Sequence, residues 1–167
     1  MKRLVAAKTI DEMTENARIR LAETTEDSKV LERLSNDDEE TVRRFVAKNP
    51  NTPPEALTRL ARDKDEWVRA NVAGNPNTPV KVLSQLARRS SWVRTYTAAN
   101  PNTPPEILIQ LAKDKHEPVR RYVASNLNTP PEVLAQLADD EDVYVRMNVR
   151  KNPNAKSTKR RTSPKQD

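Results

Sequence analysis

The feature that most constrains this chain is a turn that keeps returning. Asn49-Pro50-Asn51-Thr52-Pro53-Pro54-Glu55 recurs as Asn75-Pro76-Asn77-Thr78-Pro79 and as Asn100-Pro101-Asn102-Thr103-Pro104-Pro105-Glu106. It appears again as Asn126-Leu127-Asn128-Thr129-Pro130-Pro131-Glu132 and fades at Asn152-Pro153-Asn154. The leading asparagines thus keep an almost constant interval, shortened by a single residue once, between Asn75 and Asn100. A fixed period of this length marks a solenoid, whose units are too small to bury an apolar face except against their neighbours.

Between turns the apolar residues follow helical spacing. Each unit opens with a leucine pair, Leu31/Leu34, Leu57/Leu60, Leu83/Leu86, Leu108/Leu111 or Leu134/Leu137. A Val-Arg step follows, at Val42-Arg43, Val68-Arg69, Val93-Arg94, Val119-Arg120 and Val145-Arg146, with Val46, Val72, Thr97, Val123 or Val149 four residues after the valine. Spacings of three and four put each pair on one face of a helix, so two short helices per unit and an all-α fold are predicted, with these residues in the core. The turn punctuates them. Thr52-Pro53-Pro54-Glu55 has the form of a capping box with proline at the first helical position, repeated at Thr103/Glu106 and Thr129/Glu132; Lys81 replaces the glutamate in the second copy. Pro50, Pro76, Pro101 and Pro153 push the preceding asparagine out of the helical region and end the second helix. The asparagine amides then serve backbone groups around the turn.

Composition alone points elsewhere. With 35% hydrophobic residues, 32% charged residues and 13 prolines the chain would lean towards disorder. Eleven of those prolines, however, lie inside the recurring turn. The absence of cysteine excludes disulfides, thiolate chemistry and cysteine-held zinc or iron–sulfur clusters. The amino end is too briefly apolar for a signal peptide and no run is long enough to span a membrane, so a cytoplasmic location is the expectation. The net charge of +6 is uneven: residues 150–167 hold seven basic side chains and one acid, and residues 67–121 hold nine and three. Three regions are expected: a helical cap or degenerate half-repeat over 1–23, the repeat solenoid over 24–153, and a disordered basic tail over 154–167. In the cap, Ile10, Met13, Ala17 and Leu21 share one helix face.

The run from Asn49 through Asp63, continued to Val68-Arg69-Ala70-Asn71-Val72-Ala73, resembles the leucine-rich repeat variant (LRV) of bacterial proteins. The resemblance implies a right-handed α-solenoid, a superhelix of about five such repeats with no sheet, in which one of the two helices is open to a 3-10 form. It transfers no catalytic residues, and the cysteine-rich iron–sulfur segment of some relatives has no counterpart here. The chain is also HEAT-like in placing an Asp six residues before the arginine of the Val-Arg step, at Asp37/Arg43, Asp63/Arg69, Asp114/Arg120 and Asp140/Arg146. In HEAT repeats such pairs form a structural ladder between layers. In the third full unit Arg88-Arg89-Ser90-Ser91 stands where the Asp belongs, which leaves Arg94 as the arginine expected to lack its acid.

Catalysis has little to stand on. His116 is the one histidine and Gly74 the one glycine, so no metal site, triad or glycine-rich phosphate loop is indicated, and neither an enzyme nor a cofactor is expected. Asp37-Asp38-Glu39-Glu40 and Asp139-Asp140-Glu141-Asp142 are assigned to helix N-termini, where acids are favourable. Binding has more support. All six aromatics fall in second helices: Trp67, Trp92 and Tyr144 share one repeat position, Phe45, Tyr96 and Tyr122 another. Stacking would place them in a stripe beside arginines, the side chains enriched at interface hot spots. The candidate partner-binding set is Arg44, Trp67, Arg88, Arg89, Trp92, Arg94, Tyr96, Arg120, Arg121 and Tyr122. A monomeric scaffold with a protein partner is the expected function, without a membrane or small-molecule substrate. The alternative is nucleic-acid binding through the basic middle repeats and tail.

Overall fold

The computed structural model describes residues 10–155. The amino-terminal residues 1–9 and the tail from residue 156 onward, including most of the stretch expected to be disordered, lie outside the described residues. Within them are eleven helices and no strand. A leading helix α1 (Glu15–Thr24) is followed by five pairs: α2 (Ser28–Leu34) with α3 (Glu40–Lys48), α4 (Pro54–Leu60) with α5 (Glu66–Gly74), α6 (Val80–Leu86) with α7 (Ser91–Ala99), α8 (Pro105–Leu111) with α9 (Glu117–Ser125), and α10 (Pro131–Leu137) with α11 (Val143–Lys151). Both helices of every pair are α-helical; among the described residues, 3-10 geometry is confined to 153–155. The chain divides into two compact units, residues 1–82 and 83–167.

In the first unit α1, α3 and α5 pack each against the next, with α2 and α4 beside them. In the second, α7, α9 and α11 do the same, flanked by α8 and α10. The predicted leucines and valines form the cores: Leu31, Leu57, Val42 and Val68 in the first unit and Leu108, Leu134, Val119 and Val145 in the second have no exposed surface. Thr97, in place of a valine, is equally buried and donates its hydroxyl to Val93 O at 3.0 Å. Helices of seven and nine residues are too short to persist alone, so side-chain packing and whatever joins successive repeats must hold them.

What joins them is the first asparagine of each turn. Asn49, Asn75, Asn126 and Asn152 are buried. Each side chain works in two directions. Its Oδ1 accepts from the backbone N–H two residues on, at 2.8 Å for Asn49, 2.9 Å for Asn75 and Asn126, and 3.0 Å for Asn152, which folds the turn. Its Nδ2 donates into the preceding repeat: Asn75 to Ala47 O and Asn49 O, Asn126 to Ala98 O and Asn100 O, and Asn152 to Ala124 O and Asn126 O, all at 2.8–2.9 Å. The first acceptor of each pair, Ala47 O, Ala98 O or Ala124 O, is an orphan carbonyl in the last turn of a second helix; the second, Asn49 O, Asn100 O or Asn126 O, also accepts the N–H of the threonine three residues on. Many helices end on a left-handed glycine; among the described residues none has positive φ, and the asparagines close the helix in extended geometry. Asn126 has the same geometry as the others although Leu127 follows it in place of proline, so the carboxamide bonds suffice to end the helix there.

The capping box is not formed. The N-cap positions of α4, α8 and α10 are Pro53, Pro104 and Pro130, with no side-chain cap bond, one residue beyond the threonine. Thr52, Thr78, Thr103 and Thr129 are buried and donate backwards, to Val46 O, Val72 O, Thr97 O and Val123 O. The helix starts after the first proline, at Val80 as at Pro54, and the threonine hydroxyl serves the preceding helix instead.

Asn126→Ala is expected to cost about 1–3 kcal/mol in urea unfolding, because the buried Ala98 O loses its partner, while Asn100 O keeps the Thr103 N–H and Asn128 N is near water. Asn128→Ala, whose bonds to Pro101 O and Thr103 O lie nearer the surface, is expected to cost under about 1 kcal/mol. Equal losses would show that the buried carboxamide is not what binds the repeats together.

Candidate interaction face and the arginine ladder

Two rows of arginines run through the second helices, and both are built into the scaffold. In the inner row the guanidiniums of Arg43, Arg94 and Arg120 each grip a carboxylate from the following repeat along the Nε–Nη2 edge. Arg43 takes Asp63 at 2.6 and 3.2 Å, Arg94 takes Asp114 at 2.5 and 3.0 Å, and Arg120 takes Asp140 at 2.7 and 3.0 Å. Arg18 of α1 does the same with Asp37, so α1 stands where a second helix would. Nη1 meanwhile donates to backbone carbonyls of the preceding loop, such as Asp37 O and Asp38 O for Arg43. The aspartate has a second task, accepting the N–H two residues on, as from Asp65 at 2.9 Å or Asp142 at 2.9 Å, and so shapes the entry to the second helix.

This corrects the expected pairing. The acid six residues before each arginine contributes its carbonyl, while the carboxylate partner comes from the loop of the following repeat. Arg94 therefore has an acid, Asp114, and among the described residues the ladder arginines without one are Arg69 and, in the last repeat, Arg146. The ladder runs through the interior of each unit and removes Arg94 and Arg120 from the candidate contact surface. Arg120 is buried and also bonds Glu141 at 3.2 Å.

The outer row is partly exposed. Arg44 pairs with Asp65 at 2.8 and 2.7 Å and reaches Glu40, and Arg121 pairs with Asp142 at 2.9 and 2.8 Å. Asp65 and Asp142 are also N-caps of α5 and α11, accepting from Val68 N and from Tyr144 N and Val145 N. Arg121 further lies over the Tyr144 ring, 4.6 Å from its centroid, a cation–π contact.

The aromatics stand on the exposed side of these helices. In the second unit Trp92, Tyr122 and Tyr144 are 40%, 46% and 54% exposed, with Met147 and Val143 nearby on α11. Tyr96 is half-buried and meets Trp92 edge-on, centroids 5.2 Å apart. In the first unit Trp67 is exposed, and Phe45 and Arg44 are half-buried. Arg88 and Arg89 are exposed in the loop before α7. Of the candidate set, then, Trp92, Tyr96, Arg121 and Tyr122 share the α7–α9 surface, Arg44 and Trp67 belong to the first unit, and Arg94 and Arg120 sit in the ladder. Tyr144 belongs with this surface although the candidate set omits it; its place in the Trp67/Trp92 row is the signal that finds it.

The remaining polar features offer little chemistry. A cleft of about 510 Å³ by α1 and α2 is lined by Asp11, Arg18, Arg33, Asp37 and Asp38, but Arg18 is bound to Asp37 and Arg33 to Asp11. His116 is an exposed N-cap residue of α9 without a side-chain cap bond. Among the described residues no three His, Cys, Asp or Glu side chains are placed to hold a metal ion, and no helix is long and apolar enough to cross a membrane.

The same helix pairs are matched among known proteins. The profile of the leucine rich repeat variant family matches residues 40–65, 66–91 and 119–142. Residues 40–91 and 119–142 thus carry repeats of the leucine-rich repeat variant type. Among solved structures it is similar to a leucine-rich repeat variant described as having a novel repetitive structural motif, with 25% identity over 96% of this chain and 76% of that one and a TM-score of 0.47. It is also similar to an engineered protein, at 20% identity over 84% of this chain and 88% of that one, with a TM-score of 0.50, a likeness of fold. No curated protein matches it. The LRV repeats fit a scaffold role, and the α-solenoid class agrees with the helix pairs described above.

The arginine ladder makes an acid limb predictable. Arg121 and the N–H groups of Val145 and Tyr144 hold the Asp142 carboxyl down to about 2. Arg120 lowers Asp140 and Arg44 lowers Asp65. At Asp114 burial pushes upward, but Arg94 and the His116 N–H outweigh it and the net direction is down. Groups whose folded pKa is depressed stabilise the fold above the unfolded value, near 4, and lose that contribution as pH falls through the folded one. The melting temperature is therefore expected to hold from neutral pH to about pH 4 and then drop towards pH 2. Asp142→Asn should lower it at neutral pH and flatten the drop; an unchanged acid limb in this variant would contradict the assignment.

Proposed function

We propose that the protein is a non-enzymatic scaffold that binds another polypeptide through the exposed face of its second helices, centred on Trp92, Tyr122 and Tyr144 of α7, α9 and α11. The observation that carries this reading is the exposure of three large aromatics on consecutive packed helices, in a chain that has only six. Exposed aromatic clusters of this kind are costly in water unless a partner covers them, and Trp and Tyr give large contact area for little lost rotamer entropy. The face is preorganised as well. Arg121 is tied to Asp142 and stacked on Tyr144, and Trp92 rests against Tyr96, so little ordering cost remains for binding. Phe45, Arg44 and Trp67 offer a similar, sparser surface in the first unit.

The nucleic-acid alternative is weakened by the ladder. Of the nine basic residues in 67–121, Arg94, Arg120 and Arg121 are neutralised by Asp114, Asp140 and Asp142, which leaves fewer free cations to displace counterions from a phosphate backbone.

Partners captured by the wild-type protein are expected to be lost by a Tyr122→Ala/Tyr144→Ala double variant and kept by Glu106→Ala, which alters the exposed start of a first helix. A gel shift with duplex DNA and single-stranded RNA at low salt is expected to show no complex. Retention that weakens steeply with salt and survives the double variant would overturn the protein-partner reading.

A further inference from the structure

The aromatic face of the second unit is bordered by charge that changes sign from one end to the other. Trp92 and Tyr144 stand in the first turns of α7 and α11, just past the N-caps Ser90 and Asp142, so the loops leading into these helices edge the face. In those loops Arg88, Lys113 and Asp139 occupy one repeat position, counted from Leu86, Leu111 and Leu137, and Lys115 and Glu141 occupy another. All five are exposed. Stacked repeats bring equivalent positions into rows, and the first of these rows reads basic, basic, acidic from α7 to α11.

The ladder does not cancel this pattern. Residues 83–105 hold three arginines and no acid, and residues 122–145 hold five acids and no lysine or arginine. Arg94 is taken by Asp114, Asp140 by Arg120 and Asp142 by Arg121. What remains is opposite in sign at the two ends. Arg88 and Arg89 are exposed before α7, with Arg89 standing where the ladder aspartate would be. Asp139 is exposed before α11, and Glu141, although 3.2 Å from Arg120, has a side chain 88% exposed. Between them Lys113 and Lys115 outnumber the exposed Glu117. Packed helices lie roughly 8–10 Å apart, and α9 packs against both α7 and α11, so the two ends are separated by roughly 16–20 Å. That is about twice the Debye length in physiological salt, and each end therefore acts separately on whatever covers the face.

We propose that the segment this face receives is charge-polarised: apolar or aromatic in its middle, acidic at the end over the α7 and α9 loops, and basic at the end over the α11 loop. This polarity rests on the aromatic face being the docking surface, and it adds the direction in which a partner lies there. Tyrosine and tryptophan anchors alone accept a segment in either direction. Like charges meeting at both ends disfavour the reversed one, because rim charges govern orientation and encounter more than affinity. The span corresponds to about 11–13 residues of helix or about 5–6 of strand, so a segment of about 12 residues reaches both ends in either form.

The probe is a random peptide library of about that length, selected on the full chain. Selected peptides are expected to carry Asp or Glu at one end and Lys or Arg at the other, and to lose binding to Tyr122→Ala/Tyr144→Ala. Arg88→Glu/Arg89→Glu, which changes only exposed side chains, is expected to weaken such a peptide about tenfold at low salt and much less at high salt. A peptide with its acidic end neutralised is expected to bind both proteins alike. Asp139→Lys/Glu141→Gln should act on the basic end in the same way, with glutamine keeping an acceptor for Arg120. Peptides that need both tyrosines but show no charge bias, or that bind the Arg88→Glu/Arg89→Glu protein as well as the wild type, overturn the polarity and leave the aromatic face standing. Binding that survives the tyrosine variant, or a selection that enriches no peptide, overturns both. A dimer in sedimentation that the tyrosine variant abolishes would assign the face to a second copy and overturn the foreign segment.

Discussion

Everything in this molecule depends on a primary amide that faces two ways. A helix of nine residues leaves nearly half of its carbonyls without an intrahelical partner, and stacking such helices buries those carbonyls where water cannot reach them. The asparagine at the head of each turn resolves this in one group: Oδ1 shapes its own turn, and Nδ2 caps the helix and turn of the repeat before it. No other uncharged side chain of that length offers an acceptor and two donors on one rigid plane. Aspartate would repel the carbonyls, and glutamine would be a methylene too long. The threonine hydroxyl and the second asparagine complete the inventory of the same helix end.

Charge plays a parallel part on the opposite side of the helix pair. The inner arginines join loop carbonyls of their own repeat to a carboxylate of the next, so each aspartate shapes one loop and holds one neighbour. Breaking such a pair leaves an uncompensated charge in a poorly hydrated place, which is why the row tolerates loss so badly in principle. The outer arginines differ. They are half-exposed and bind the aspartates that cap the next second helix, and Arg121 also lies over the Tyr144 ring.

The repeat frame, the helix pairs and the core were legible because leucine and valine recur at helical spacing and proline punctuates the turns. The direction of the ladder was not. In a chain of constant period, the acid of an arginine's own loop and the acid of the next repeat's loop belong to the same row. Local and non-local pairings therefore predict the same residues everywhere except in the broken repeat. There the two differ, and the geometry leaves Arg69 without its acid, with Arg94 satisfied. The threonines misled for a related reason: Thr-Pro-Pro-Glu has the spacing of a capping box, but the helix starts one residue later than that spacing requires, after the first proline, and the hydroxyl turns back to the preceding helix. The aromatic stripe was legible as a row, while the exposure of Trp92, Tyr122 and Tyr144 depends on which side of each helix meets its neighbours.

The shortest repeat shows where this architecture bends. Leu60 and Val68 are eight residues apart, Leu86 and Val93 only seven, so the residue lost from the third unit came from the loop between its two helices. Arg94 accommodates the deletion by donating to Arg89 O, five residues back, while its grip on Asp114 is kept. The asparagine turns admit no such change, since both ends of the amide are committed to fixed neighbours. Length variation is thus channelled into one of the two connections of every repeat. A foreign peptide or a metal-binding loop grafted between a first and a second helix has a place prepared for it; the same graft in an asparagine turn would unfasten two repeats at once.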